Sequence, residues 1–342
     1  MAIGVRTNHL GLSREDYKGL ATTLCAGCGH NSITNHLVKA LFESGVDPYR
    51  LAKMSGIGCS SKATAYFMER SHAFNAVHGR MPAVTTGAAL ANRQLIYLGI
   101  SGDGDTASIG LGQFCHLVRR NLDCTYVVEN NGVYGLTKGQ FSATADIGSV
   151  QKRGAVNELE TIDIAALAVQ LGASFVARGF SGDGAQLVPL LRAALAHRGA
   201  AILDVISPCV TFNDHQGSTK SYQYLKDHDR VLQELDFIPH QEEVSVSYEP
   251  GEVVDVPLFD GSVLRLRKLN DDHDPTDRLA ALTILDEGRR TGEVVTGLLY
   301  INREAVDFCT RERLPETPLR DLGEAELRPN PTVFQDLVES WR

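Results

Sequence analysis

The sequence predicts an α/β protein, a mostly parallel central sheet flanked by helices, followed by a C-terminal accessory region. Two observations predict it. From about residue 30 to 210, short apolar runs alternate with longer stretches whose apolar residues recur at helical spacing, as strands and helices do when they take turns along a chain. Near Ile238-Pro239-His240 the character changes, and beyond it two short runs flank Asp260-Gly261, a strong hairpin signal. The main unit is therefore placed at residues 1–240 and the accessory region at 241–342.

Each element has its own reason. Ile33, Leu37, Val38 and Leu41 share a helical face behind Asn31-Ser32, a pair suited to capping. Residues 95–100 read as a buried strand ending in Ser101-Gly102-Asp103-Gly104. A helix follows, with Ile109, Phe114, Leu117 and Val118 on its apolar side and Arg119-Arg120 near its end, where cations favour the dipole. Residues 124–128 form a second strand that runs into Glu129-Asn130-Asn131-Gly132. A helix over 164–171, a strand over 174–177 and a helix over 186–197 stopped at Gly199 come next. The strand 201–206 delivers the chain to Pro208-Cys209. In the accessory region, 253–258 and 263–269 are the hairpin strands, Pro275-Thr276-Asp277 opens a helix, and 294–301 is a strand. The proline-punctuated tail after Pro315 is expected to lie over a surface.

Composition narrows the function. With 33 Lys plus Arg against 42 Asp plus Glu, the 342-residue chain carries a net charge of −9, which argues against a nucleic-acid partner. At 43% hydrophobic residues it can bury a sizeable core. Residues 1–24 hold charges where a signal peptide would be apolar, and no apolar stretch reaches membrane-spanning length. A soluble, cytoplasmic protein without a membrane partner is expected. Its 7 cysteines are too unevenly spaced for a disulfide scaffold; a clustered subset reads better as metal ligands or redox groups.

The first chemical motif is Gly102-Asp103-Gly104 with Asn130-Asn131 at the end of the following strand. A carboxylate and an amide at neighbouring strand ends are hard oxygen ligands, suited to Mg²⁺ shared with phosphate oxygens. The flanking glycines would let the backbone approach a diphosphate, with the next helix N-terminus facing its charge. Gly182-Asp183-Gly184 also joins strand to helix, but no Asn pair follows it, and it reads as a structural turn. The first motif resembles the diphosphate-binding motif of thiamine diphosphate enzymes, which implies Asp103, Asn131 and the Val133 carbonyl as Mg²⁺ ligands.

The second motif is Cys25-Ala26-Gly27-Cys28-Gly29-His30, joined by Gly58-Cys59-Ser60 and Pro208-Cys209. Two thiolates from one loop and two from separate turns can complete a four-sulfur site, for zinc or an iron–sulfur cluster; spacing does not choose between them. Cys115, Cys124 and Cys309 read as small apolar residues.

The motifs occur in a particular order. Cys25 through His30 is followed by Ser55-Gly56-Ile57-Gly58-Cys59-Ser60, His78-Gly79-Arg80, Gly102-Asp103-Gly104-Asp105 and Asn130 through Gln140. Together they resemble the β subunit of 2-oxoacid:ferredoxin oxidoreductases, strongly over residues 20–215. Asn131 through Gln140, with Ser142 and Thr144, most resembles the 2-oxoglutarate branch. Arg267-Lys268-Leu269 and Thr296 through Tyr300 resemble longer members of that branch.

The resemblance implies a thiamine diphosphate-binding fold and one [4Fe–4S] cluster on Cys25, Cys28, Cys59 and Cys209. It places Ile57, Gly58, Cys59, Ser60, His78, Gly104, Asp105, Gly135 and Leu136 around thiamine diphosphate. Lys62 would meet the 2-oxoacid carboxylate, Lys138 a second carboxylate, with Arg80 in a similar role. The plain alternative for each lysine is a solvated surface residue or a diphosphate contact. His30 and His78 have the alternative of hydrogen-bonded core histidines. The implied activity is oxidation of 2-oxoglutarate with coenzyme A to succinyl-CoA and CO₂, electrons passing through the cluster to ferredoxin. The activating glutamate is implied to belong to a partner α subunit, so no general base is expected here. An αβ or α₂β₂ enzyme, inactive as the β chain alone, follows. Pyruvate or broad 2-oxoacid specificity is the nearest alternative; a zinc-thiolate structural subunit without thiamine is the distant one.

Overall fold

The computed structural model describes residues 6–150, 154–212, 243–258, 263–328 and 330–342. The six strands β1 (Leu51–Ser55), β2 (His72–Asn75), β3 (Ile96–Gly102), β4 (Cys124–Asn130), β7 (Phe175–Phe180) and β8 (Ala200–Ile206) form the parallel part of one sheet. A small hairpin of β5 (Val133–Tyr134) and β6 (Gln140–Phe141) stands apart from it. The accessory strands β9 (Val253–Pro257), β10 (Val263–Lys268) and β11 (Val294–Ile301) extend the sheet beyond β7. The full order is β2-β1-β3-β4-β8-β7-β11-β10-β9, with β11 antiparallel to β7. Every residue of β4, β7 and β8 is buried. Helices cover both faces of such a parallel core, which explains the continuous apolar runs.

Six helices of eight residues or more surround the sheet: α1 (Gly29–Ser44), α2 (Met81–Ala91), α3 (Leu111–Arg120), α4 (Ile164–Leu171), α5 (Gly184–Ala196) and α6 (Arg278–Thr291). Asp163, Asp183 and Asp277 cap α4, α5 and α6 by accepting from backbone N–H groups of the first turn. Asp183 thus has the structural task expected of the second Gly-Asp-Gly, and it also receives Lys268 Nζ at 3.0 Å. The helix and strand expected at 278–291 and 294–301 are present, and β9 pairs antiparallel with β10. The turn Asp260-Gly261 and the transition at Ile238-Pro239-His240 lie outside the described residues. No helix among those described is long and apolar enough to cross a membrane.

Four local features differ from the expected elements or add to them. First, α1 begins at Gly29, not behind Asn31-Ser32. Gly29 N–H donates to the Pro208 carbonyl, so a neighbouring loop supplies the missing acceptor, and the Asn31 amide turns back to the Cys25 carbonyl. Second, Ile109 is exposed, because the chain from Gly104 to Ile109 is a wider π-type turn that leaves it out of phase with the face of α3. Third, β1, β2 and α2 lacked a clear sequence signal. Lys53 interrupts β1 yet is buried, its ammonium donating to the carbonyls of Thr64, Phe67 and Met68 at 2.6, 2.6 and 3.0 Å. Fourth, the tail contains a helix over Pro331–Glu339 with none of its residues buried, so Val333, Phe334 and Leu337 face outward.

Candidate active site

Gly102 on β3 pairs with Glu129 on β4, so the two parallel strands release Asp103 and Asn131 at the same carboxyl end, where ligands collect in α/β sheets. Asp103 is 1% exposed. Its Oδ2 accepts from Gly132 N–H at 3.0 Å, from Thr144 Oγ1 at 2.6 Å and from Ser142 Oγ; its Oδ1 faces Asn131 N–H at 3.4 Å. Asn131 Oδ1 accepts from Val133 N–H at 3.1 Å. Gly132 holds φ at +73°, and this left-handed turn brings Val133 back toward Asp103. Asp103, Asn131 and Val133 thus meet, and an anion anchored by several donors fits a hard divalent cation.

The glycines beside Asp103 have protein neighbours as well. A Cβ on Gly104 would come within 2.5 Å of the Tyr134 ring, whose hydroxyl donates to the Gly104 carbonyl at 2.9 Å. A Cβ on Gly102 would approach Ser60 Oγ at 3.1 Å. Asp105 is committed too: it accepts from Gly79 N–H at 2.7 Å and Ser101 Oγ at 2.8 Å, and so pins the His78–Arg80 turn to the end of β3.

The four expected cysteines gather. Cys28 caps α1, and its N–H donates to the Cys25 carbonyl at 3.2 Å. The Gly29-to-Pro208 bond draws this loop against Cys209. A Cβ on Gly135 would sit 3.6 Å from Cys59 Sγ and 3.8 Å from Cys209 Sγ. Burial, then the charge of neighbouring sulfurs, pushes Cys28 well above the ordinary thiol range and Cys209 to about 12; Cys59 is raised for the same reasons. Thiols this costly to ionise lose their protons to a metal that binds thiolate. Among the described residues, no three His, Cys, Asp or Glu side chains close to the spacing of a single-ion site. Cys124 and Cys309 are buried in the core as expected, and Cys115 is half-buried.

A cavity joins the two groups. Ile57, Gly58, Cys59, Ser60, Asp103, Gly104, Asp105, Asn131, Val133 and Gly135 all line it, together with His30 and Glu129. It encloses about 30 Å³, far below the roughly 300–1,000 Å³ of a pocket that engulfs a ligand. The chain therefore forms a floor more than a complete pocket. A larger cavity of about 550 Å³ lies elsewhere, between Lys18–Thr22 and α1, and touches the cysteine loop only through Ala26 and Gly27. Outside the cavity wall, His78, Arg80, Leu136 and Lys138 are exposed and Lys62 is half-buried.

Glu129 was not singled out in the sequence, where it reads as the start of a turn. It is fully buried, and neither carboxylate oxygen has a hydrogen-bond partner in the protein. Such an orphan in the cavity wall is what a site built around a bound group leaves behind. His30 Nδ1 stands 3.7 Å from Glu129 Oε2 and 2.5 Å from Ser207 Oγ. Although the first distance is that of an ion pair, burial drives both groups to their neutral forms, Glu129 well above the carboxyl range and His30 down to about 4. In the unfolded chain Glu129 ionises above pH 4.5 while the folded chain keeps its proton, so stability falls as pH rises from there. His30 acts oppositely, its contribution being full above pH 6.5 and lost as pH falls toward 4. Glu129→Gln should therefore stabilise the cofactor-free chain at neutral pH by about 1–3 kcal/mol. The gain should vanish as pH approaches 4.5. Urea denaturation of both proteins across that range checks it; an equal gain at every pH would contradict the assignment.

Comparison with known proteins agrees with this geometry. Residues 56–205 match the family described as thiamine pyrophosphate enzyme, C-terminal TPP binding domain. The 2-oxoacid:ferredoxin oxidoreductase subunit β of Saccharolobus solfataricus is 38% identical over 328 residues, covering 93% of this chain and 96% of that one. The 2-oxoglutarate oxidoreductase subunit KorB of Mycobacterium tuberculosis is 41% identical over 191 residues, 56% of this chain and 51% of that one. Among solved structures, 2-oxoglutarate:ferredoxin oxidoreductase from Magnetococcus marinus, with 2-oxoglutarate, coenzyme A and succinyl-CoA bound, superposes with a TM-score of 0.71 at 30% identity, over 91% of this chain and 94% of that one. The fold and site define an oxidoreductase subunit with a thiamine pyrophosphate-binding domain. The chain belongs to the β-subunit family of the 2-oxoacid:ferredoxin oxidoreductases.

Proposed function

We propose that this chain is the β subunit of a cytoplasmic 2-oxoglutarate:ferredoxin oxidoreductase, working with an α subunit as αβ or α₂β₂ and converting 2-oxoglutarate and coenzyme A to succinyl-CoA and CO₂. One observation carries the reading. The Ile57–Ser60 loop lines the cavity of Asp103 and Asn131, while its Cys59 stands with Cys209 across Gly135. One loop thus serves a diphosphate–metal site and a thiolate site together.

Asp103, Asn131 and the Val133 carbonyl would hold Mg²⁺, and Cys25, Cys28, Cys59 and Cys209 a [4Fe–4S] cluster. When bound, thiamine diphosphate supplies the carbanion chemistry of decarboxylation and the cluster an exit for electrons. Four thiolates suit zinc or an iron–sulfur cluster, and the family resemblance favours the cluster. The narrow floor accords with a partner subunit that supplies the opposite wall and the activating glutamate. Residues 241–342 are the part assigned to subunit contacts.

Lys138 is the candidate for the distal carboxylate of 2-oxoglutarate. It holds φ at +79°, in a loop closed by Lys138 N–H to the Gly135 carbonyl and Gly139 N–H to the Tyr134 carbonyl. A lysine in that region costs roughly 1–3 kcal/mol, and such strain concentrates at ligand clamps. Lys138→Ala is expected to lower kcat/KM for 2-oxoglutarate about 10–100-fold, the worth of a charged hydrogen bond, and to leave pyruvate within about twofold. Equal effects on both substrates would remove Lys138 from substrate selection.

The reading as a whole is tested by anaerobic co-expression with the α subunit, then iron, sulfide and thiamine analysis and viologen reduction dependent on 2-oxoglutarate and coenzyme A. About four irons per β chain, as a single Cys-ligated cluster requires, with bound thiamine and substrate-dependent reduction, is the expected result. Zinc in place of iron, or an intact complex without thiamine, would overturn it.

A further inference from the structure

The proposed metal reading uses Asn131 and leaves Asn130 unexplained, although Asn130 is 4% exposed and both polar atoms of its side chain have a partner. Asn130 Nδ2 donates to Asp204 Oδ1 at 2.9 Å, and Asn130 Oδ1 lies 2.9 Å from Thr144 Oγ1. The same Thr144 hydroxyl lies 2.6 Å from Asp103 Oδ2. At its far end Asp204 Oδ2 accepts from Arg178 Nε at 2.9 Å, and Arg178 reaches Asp163 Oδ1, the cap of α4, at 2.5 Å. An unbroken chain of buried polar groups therefore runs from β7 through β8 and β4 to Asp103.

The hydroxyl of Thr144 has one proton and faces Asp103 Oδ2, Asn130 Oδ1 and, at 3.0 Å, Ser142 Oγ, whose own hydroxyl can donate to it. The shortest contact is to the carboxylate, and a hydrogen bond to an anion is the stronger one. Asn130 cannot turn to relieve the competition, because a flipped amide would set its oxygen against Asp204 Oδ1. Arg178, paired with Asp204 and Asp163, holds the Asp204 carboxyl in place. Thr144 is thereby held at the point where its proton fixes Asp103 Oδ2.

We propose that Thr144 is a positioning residue for Asp103, clamped from behind by Asn130 and the Asp204–Arg178 pair, so that Asp103 is presented to a divalent cation in one orientation. The proposal rests on the reading of Asp103 as a metal ligand. Outer partners of metal-binding carboxylates are worth 10–100-fold in metal affinity, and Thr144 is the buried side chain placed to act in that way. Ser142 also donates to Asp103 Oδ2 and lies 3.0 Å from Thr144 Oγ1, but the hydrogen bond to Asn130 is made by Thr144, which is therefore the bridge to the chain behind.

The test is the Mg²⁺ dissociation constant of the complete αβ enzyme at fixed thiamine diphosphate, read by equilibrium dialysis, with kcat at saturating Mg²⁺ and the melting temperature alongside. Thr144→Val should raise the constant about 10–100-fold. Thr144→Ser should return it to within about threefold of the wild type, since the hydroxyl is restored. Asp204→Asn, which leaves the Arg178–Asp163 pair in place, should move it in the same direction by a smaller factor. A Thr144→Val enzyme that binds Mg²⁺ as the wild type does, with Asp103→Ala failing to bind, overturns the positioning role and leaves the metal reading standing. If Asp103→Ala also binds normally, the metal reading itself falls. A lowered melting temperature with an unchanged Mg²⁺ constant, or no rescue by serine, likewise overturns the proposal.

Discussion

Asp103→Ala in the complete enzyme is expected to leave a folded complex that retains iron and sulfide but no longer retains Mg²⁺ and thiamine diphosphate. Substrate-dependent viologen reduction should fall by more than about 100-fold, beyond what loss of an outer partner costs. Asp103 is 1% exposed, and Gly132 N–H, Ser142 and Thr144 all donate to its carboxyl group. Those donors hold it in one orientation, which is what a hard cation requires. Removing it also leaves two hydroxyls and one N–H without their acceptor, at about 1–3 kcal/mol each if no water replaces it. A control for folding is therefore needed, and the iron content of the same sample supplies it, since the cysteines stand on other loops. Asp103→Ala that keeps its thiamine and its turnover would show that the donors around Asp103 serve the fold alone.

Much of this site was legible because its parts are local. Cys25 and Cys28 share a loop, Ile57–Ser60 is continuous, and Asp103 and Asn131 each close a buried apolar strand, so residue order alone carried them. What binds the parts together was not legible. The contact between the cysteine loops runs through Gly29 N–H and the Pro208 carbonyl, backbone groups with no side-chain signature. Glu129 was hidden by its position: an acid next to Asn130-Asn131-Gly132 reads as turn, whereas β4 stays buried through Asn130 and turns the carboxylate inward. Lys53 is a similar case, since a lysine in a short run signals solvent unless, as here, three carbonyls wait for it. The cap of α1 failed for the opposite reason, a good capping side chain being spent on the Cys25 carbonyl. In each case a tertiary partner overrode a local preference.

Cys59→Ala is expected to separate the two halves of the site. Cys59 belongs to the loop that lines the cavity, yet its sulfur points to Gly135 and the neighbourhood of Cys209. Losing one of four thiolates should strip the complex of most of its iron and sulfide and reduce viologen reduction to the level of a blank. Thiamine diphosphate should stay bound, because the Asp103 donors and the Asn131–Val133 turn are untouched. Cys124→Ala is the matching control: Cys124 is 2% exposed, in a core cluster that holds none of the four expected ligands, so iron should be kept, at a stability cost of about 1 kcal/mol for the small void. If Cys59→Ala and Cys124→Ala retain equal iron, the four-cysteine assignment is wrong. If Cys59→Ala loses thiamine together with iron, the loop is one structural unit and its two roles are inseparable. Loss of iron with thiamine retained would make Cys59 the residue at which bond-breaking chemistry and electron exit part company.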